Sequence, residues 1–178
     1  MLTQPVPVSQ SRTIKTALVL PSDTQHHHTI FGGRVMYYID DVAAICAMRH
    51  CHTHVVTASV DSLDFLSPVK VGAAVNLEAF VTWTGRTSME VFVKVFSEEL
   101  LTGKKDLTVT CFLTMVAVGE DGKPTEVPPV IPETEEEDIL YQTAPARRDK
   151  RRERKKELKD SLGQFSFMQV HDLTKKSR

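Results

Sequence analysis

The sequence predicts an α+β fold in which one antiparallel sheet wraps around one long helix. Val35, Ile39, Val42, Ala43, Cys46 and His50 recur at three- and four-residue spacing within 34–52, the period of a helix with one broad apolar stripe. Four runs rich in β-branched residues follow, separated by short turn-forming stretches, as in an antiparallel meander. One more such run precedes the helix. No internal repeat is evident, so strand, helix and four strands make a single layered unit. With 178 residues, 41% of them apolar, the chain suffices for one domain with a real core and a tail.

Residues 1–11, with Pro5 and Pro7, read as a loosely packed lead-in. RTIKTALVL (12–20) reads as the first strand. PSDTQHHHTIFGG (21–33) is a polar loop closed by two glycines. The helix over 34–52 is rich in alanine (Ala43, Ala44, Ala47) and poor in charge, so it is expected to be largely buried. HVVTASVDSLDF (54–65), AAVNLEAFVTW (73–83), SMEVFVKVFSE (88–98) and LTVTCFLTMVAV (107–118) read as the four strands. Val75, Leu77, Ala79, Val81 and Trp83 alternate onto one face of the second, and the last is apolar on both faces and so central. Domain boundaries fall at a lead-in (1–11), the sheet-and-helix domain (12–120), a Pro-rich acidic linker (121–145) and a basic helical tail (146–178). In that tail Asp149, Glu153, Glu157 and Asp160 share one face among the basic residues. Phe165, Phe167 and Met168 are apolar points near an end expected to fray.

Charge is divided unevenly. From Arg147 onward there are 12 Lys/Arg against 5 Asp/Glu, while the residues before it carry 10 against 18. A basic tail on an acidic body fits a solvated helix or a neighbouring subunit; without interleaved aromatics it does not predict specific nucleic-acid binding. No run has the roughly 18 apolar residues of a membrane span. The N-terminus lacks a secretory signal's apolar core. Cys46, Cys51 and Cys111 are odd in number and without metal-type spacing, which predicts free thiols and a cytoplasmic setting.

The chemistry concentrates where the loop meets the helix. Gly32 and Gly33 stand at a helix N-terminus, where free N–H groups and the helix dipole favour a negatively charged oxygen. They are equally compatible with an ordinary helix start beside a tight packing contact. Asp40 falls on the helical face of Met36, Ala43, Ala44 and Ala47, whereas Asp41 falls near Arg34, Tyr37 and Met48 and reads as a solvated charge leaning toward Arg34. Burial disfavours an ionised acid, so neighbours must hold the charge if Asp40 is to act as base or nucleophile rather than as a structural acceptor. His26, His27 and His28 are adjacent in a loop and cannot converge on one ion, so no metal site is predicted; His27 and His28 are read as loop contacts.

These residues resemble the acyl-CoA thioesterase family of hotdog-fold hydrolases, the group of YciA-type and brain-type acyl-CoA hydrolases. The family pattern is a P-x-D-x-N loop, a short spacer, F/H-G-G, and a helix acid seven residues after the second glycine. Here it is carried by Pro21, Asp23, Gln25, Phe31, Gly32, Gly33 and Asp40, and further by VVTASVDSLDFLSPVKVG (55–72) and GRTSMEV (85–91), in family order across about 12–120. The resemblance implies a hotdog fold and a homodimer with sites at its interface, assembling further as a trimer of dimers. It implies hydrolysis of fatty acyl-CoA with Asp40 as the acid, Gly32 and Gly33 as oxyanion donors, and Gln25 in the facing loop. CoA is part of the substrate and product, no separate cofactor is implied, and its binding is expected at Lys70 and along Gly85, Arg86, Thr87 and Ser88. Two positions depart from the pattern: Gln25 replaces Asn, and His28 a frequent Gly. An amide displaced by about 1 Å loses on the order of 100-fold in rate.

That departure and the basic tail motivate an alternative, a non-catalytic acyl-CoA-binding module. Hydratase chemistry would need an Asp/His pair, and His50 lies ten residues, nearly three turns, from Asp40.

Overall fold

The computed structural model describes residues 4–162. In chain order the elements are β1 (Val6–Pro7), α1 (Val8–Ser11), β2 (Thr13–Leu18), a 3-10 turn (Pro21–Asp23), α2 (Gly32–Cys51), β3 (His54–Phe65), β4 (Ala74–Thr84), β5 (Ser88–Glu99), β6 (Lys104–Val118), β7 (Val130–Ile131) and α3 (Glu135–Leu162). Strands β2 to β6 form an antiparallel sheet in the order β2-β4-β5-β6-β3. The expected inventory of one strand, one long helix and four strands is therefore present, and β6 is interior, between β5 and β3.

All six stripe residues of α2, from Val35 to His50, are buried. They meet the inward set of the sheet: Val75, Leu77, Ala79 and Val81 of β4, Val91, Val93 and Val95 of β5, and Leu113 and Met115 of β6, each at most 1% exposed. Full burial of one such side chain stabilises by about 1.5–3 kcal/mol, so this seam fixes helix against sheet. The inward alternation of β4 stops at Val81. A bulge there pairs Trp83 with Glu90, taking the tryptophan out of the predicted face.

Helix α2 is less buried than its composition predicts. Arg34, Met36, Tyr37, Asp40 and Met48 are exposed, because one sheet covers only one side of it. His52 ends the helix in the left-handed conformation, its N–H bonded to the Met48 carbonyl.

Two segments read as irregular are ordered. The lead-in contributes β1, paired in parallel with β7, and α1, whose Val8 is 1% exposed within the core. The acidic linker turns helical at Glu135. Thr134 and Glu137 make a capping box in substance: Thr134 Oγ1 accepts the Glu137 N–H at 3.3 Å, and a Glu137 carboxylate oxygen accepts the N–H groups of Glu133 (2.7 Å) and Thr134 (3.2 Å). Four acids in the first turn complement the helix dipole. Glu137 and Glu78 both pair with Arg12, whose guanidinium lies over the Phe80 ring.

The described residues fall into two compact units that divide between Ala144 and Pro145, within α3. The second unit is the charged, mostly exposed end of that helix. Phe165, Phe167 and Met168 lie outside the described residues.

Candidate active site

The first turn of α2 has no side-chain cap. Phe31 is its N-cap residue, and its carbonyl accepts the N–H groups of Arg34 (2.8 Å) and Val35 (3.3 Å). The amides of Gly32 and Gly33 belong to the set that a helix leaves without an internal acceptor. A Cβ on Gly33 would stand 2.5 Å from the Phe31 ring, so a side chain there displaces that ring. Gly32 has room for one, 3.5 Å from Phe65.

Asp40 lies two turns further along. Its Oδ1 accepts a 2.6 Å hydrogen bond from Thr57 Oγ1 on the edge strand β3. The carboxylate borders a cavity of about 300 Å³ lined by apolar side chains, among them Met36, Ile39, Val60, Leu63 and Leu113, with Gly33 at its wall. Cys111 also lines it; burial first, then Asp61 and Asp64, pushes that thiol up to about 12, so it stays protonated. The burial expected for Asp40 is not found: β3 is the last strand of the sheet, and among the described residues nothing beyond it covers the acid.

Asp41 does not pair with Arg34. It forms an ion pair with Lys15 on β2, while Arg34 Nε donates to Asp23 Oδ1 at 2.9 Å. Tyr38 and then Asp23 hold the Arg34 guanidinium firmly in its charged form.

The preceding loop is a small hairpin. Thr24 bridges to Ile30, Gln25 N–H donates to the Thr29 carbonyl (3.0 Å), and His28 N–H to the Gln25 carbonyl (2.9 Å). Its tip carries Gln25, His26, His27 and His28, all exposed. His28 has φ 59°, the left-handed region where glycine is favoured, which gives the family's frequent glycine at this position a physical reason. Among the described residues no group of three or more His, Cys, Asp and Glu is placed to hold a metal ion.

Gln25 and Asp40 line different cavities. Gln25 borders one of about 410 Å³ with Thr29, Gly32, Phe65, Leu66 and Ser67. The adjacent glycines therefore serve opposite walls: Gly32 faces the Gln25 cavity and Gly33 the Asp40 cavity. The expected CoA contacts are likewise separated. Lys70 precedes β4 and Gly85 follows it, so the 11 residues of that strand stand between them, roughly 36 Å at about 3.3 Å per residue. Arg86 and Lys70 are both exposed. The turn from Gly85 to Ser88 is closed by a 2.7 Å bond from the Gly85 N–H to the Ser88 carbonyl, with the Thr87 carbonyl accepting the Ala117 N–H.

His50 is excluded from this chemistry. It is fully buried, its Nε2 lies 2.9 Å from the Pro128 carbonyl, and its Nδ1 has no partner among the described residues. Thr57 is the residue that sequence reasoning missed. Its 17-residue separation from Asp40 crosses from helix to strand, and no periodicity predicts a contact of that kind.

The sequence profile of the thioesterase superfamily matches residues 27–104. The chain is 53% identical over 147 residues to the uncharacterized acyl-CoA thioester hydrolase YkhA of Bacillus subtilis, a match covering 83% of this chain and 86% of that protein. It is 36% identical to a cytosolic acyl coenzyme A thioester hydrolase of rat, of which the match spans 38%. Among solved structures, a hexameric acyl-CoA thioesterase superposes with TM-score 0.84 at 60% identity, covering 85% of this chain and 97% of that one. The acyl-CoA hydrolase of Staphylococcus aureus, in complex with butyryl coenzyme A, coenzyme A and coenzyme A disulfide, superposes with TM-score 0.85 at 44% identity, covering 89% and 96%. The chain belongs to the thioesterase superfamily, as a hotdog-fold member of its acyl-CoA thioester hydrolase group.

Proposed function

We propose that the protein hydrolyses fatty acyl-CoA to a free fatty acid and CoA, with Asp40 as the reacting carboxylate. The observation that carries this reading is the placement of Asp40, held by Thr57, at an apolar cavity that also has Gly33 in its wall. As general base, Asp40 takes a proton from water while the water oxygen bonds to the thioester carbon. The carbonyl electron pair moves onto oxygen and is met by the helix N-terminal amides. Collapse of that intermediate breaks the C–S bond, and the proton passes to the departing thiolate. As nucleophile, Asp40 would bond to the same carbon and expel the thiolate directly, forming an anhydride that water then opens.

A second copy completes the site in this reading. Gln25 of one subunit faces Asp40 of the other, which accounts for their separate cavities in one protomer. The same arrangement lets Lys70 and the Gly85–Ser88 turn from two subunits serve one CoA, with Arg86 and Lys70 as phosphate donors. The exposed edge strand β3, with Val56, Val60 and Phe65 uncovered, suits the joining of two sheets. A trimer of such dimers would match the hexameric state named for the structural neighbour.

The staphylococcal hydrolase has also been solved with alanine in place of an asparagine, an aspartate and a threonine. Those positions are 15 and 17 residues apart, the spacing of Gln25, Asp40 and Thr57 here. This supports the same trio in the reaction, with a longer amide at its first member.

Measuring CoA release across acyl-CoAs from acetyl to palmitoyl tests the proposal. Release with at least one chain length is expected; tight binding without release above background would favour the acyl-CoA-binding module instead.

A further inference from the structure

We propose that Asp23 is a positioning residue for the oxyanion site, an inference that rests on the hydrolase reading above. Asp23 closes the 3-10 turn Pro21–Asp23, and its side chain is only 6% exposed. One carboxylate oxygen accepts the Leu20 N–H at 3.2 Å, where the chain leaves β2. The other accepts Arg34 Nε at 2.9 Å, in the first turn of α2. Its backbone carbonyl accepts the Phe31 N–H at 2.8 Å. A single residue thus ties the entry of the 24–30 loop to its exit and to the start of the helix. Everything the proposed reaction takes from this region, the Gln25 side chain and the Gly32 and Gly33 amides, lies between or beside those three bonds.

The contacts fit positioning better than general stability. Phe31 cannot cap α2 with its side chain, so the direction of the first turn is set by the Phe31 N–H and by Arg34, both held by Asp23. Charge matters as well. A carboxylate near a helix N-terminus competes with an oxyanion for the positive end of the dipole. Arg34 neutralises this one, and Arg34 is itself fixed by the faces of Tyr37 and Tyr38, 5.7 and 5.3 Å from its guanidinium carbon. The pair holds the loop while leaving the helix amides to the substrate.

The test combines steady-state hydrolysis of the acyl-CoA that the parent turns over fastest, chosen from the acetyl-to-palmitoyl series, with calorimetric titration of CoA on the intact chain. Asp23→Ala is expected to lower kcat about 100-fold, the loss typical of a misplaced reacting group, with KM within about threefold. Asp23→Asn, which keeps an acceptor for Leu20, is expected to lose about tenfold, and so is the surface variant Arg34→Met. In all three, CoA should bind with unchanged stoichiometry, a readout that separates misplacement from loss of folded sites. A kcat within threefold of the parent in Asp23→Ala and Arg34→Met overturns the inference, as does a binding stoichiometry that falls in proportion to kcat. Asp40→Asn, run alongside, separates the two levels. Near-normal turnover in that variant refutes the hydrolase reading of Asp40 itself. A large loss there with none in the Asp23 variants refutes only the positioning role.

Discussion

Thr57 Oγ1 donates a 2.6 Å hydrogen bond to Asp40 Oδ1, joining the first residues of the edge strand to the middle of the central helix. Among the described residues only Oδ1 is bonded, so the other oxygen remains available to water or substrate. Hydrogen bonds to charged groups contribute about 1.5–3 kcal/mol. Thr57→Val keeps the shape and removes the donor. We expect kcat for acyl-CoA hydrolysis to fall about 10- to 100-fold. Unchanged kcat would mean that the threonine does not orient the acid.

Gln25 is exposed, and among the described residues its amide reaches only Thr29 Oγ1, at 3.4 Å. Its removal should therefore leave stability within about 0.5 kcal/mol. If the amide polarises the carbonyl or holds the water across the subunit interface, Gln25→Ala lowers kcat by at least about tenfold. Equal loss of stability and activity would place Gln25 among the scaffold residues instead.

His50 links stability to pH. Burial is the main cause that lowers its pKa from the ordinary 6.5, opposed by the bond to the Pro128 carbonyl. Above the unfolded value both states are neutral and its contribution is complete. As pH falls through 6.5 the unfolded chain takes up a proton first, so stability is lost progressively down to the folded-state pKa. His50→Gln keeps a donor for Pro128 but does not titrate. Denaturant unfolding at pH 7.5, 6.5 and 5.5 should show the parent losing stability relative to this variant as acid is added; a constant difference would contradict the assignment.

Thr134 and Glu137 start α3. Loss of an N-cap side chain typically costs about 1 kcal/mol, which is the expected effect of Thr134→Ala in denaturant unfolding. Glu137→Ala should cost more, since Glu137 is 3% exposed and also holds Arg12. Equal effects would show that the Arg12 pair adds nothing.

Much of this was legible in the sequence. The period of Val35, Ile39, Val42, Cys46 and His50 marked the inward face of α2. The same geometry set Asp40 and Asp41 on different faces but reversed their burial: Asp40 is the exposed one, and Asp41, read as solvated, is half-buried in its pair with Lys15. What failed were inferences that needed a partner. Asp40 was expected to be covered because its helical neighbours are small and apolar, yet its face points past the last strand of the sheet. Arg34 and Asp41 share a helix face but found Asp23 and Lys15, brought in by β2 and the turn after it. In the acidic stretch, Thr134 and Glu137 have capping-box spacing, and a reading that weighed prolines and net charge passed over it. The division of Gln25 and Asp40 between two cavities has no sequence signal at all, since it arises from where the loop and β3 end in space.

The proposed hydrolysis stands or falls with the Asp40 carboxylate. The decisive measurement is CoA release by Asp40→Asn from the acyl-CoA that the parent hydrolyses fastest, taken beside CoA affinity. Turnover is expected to fall by at least about 100-fold with CoA affinity within a few-fold of the parent, since the amide keeps the shape and loses the charge. Turnover within a few-fold of the parent would contradict it.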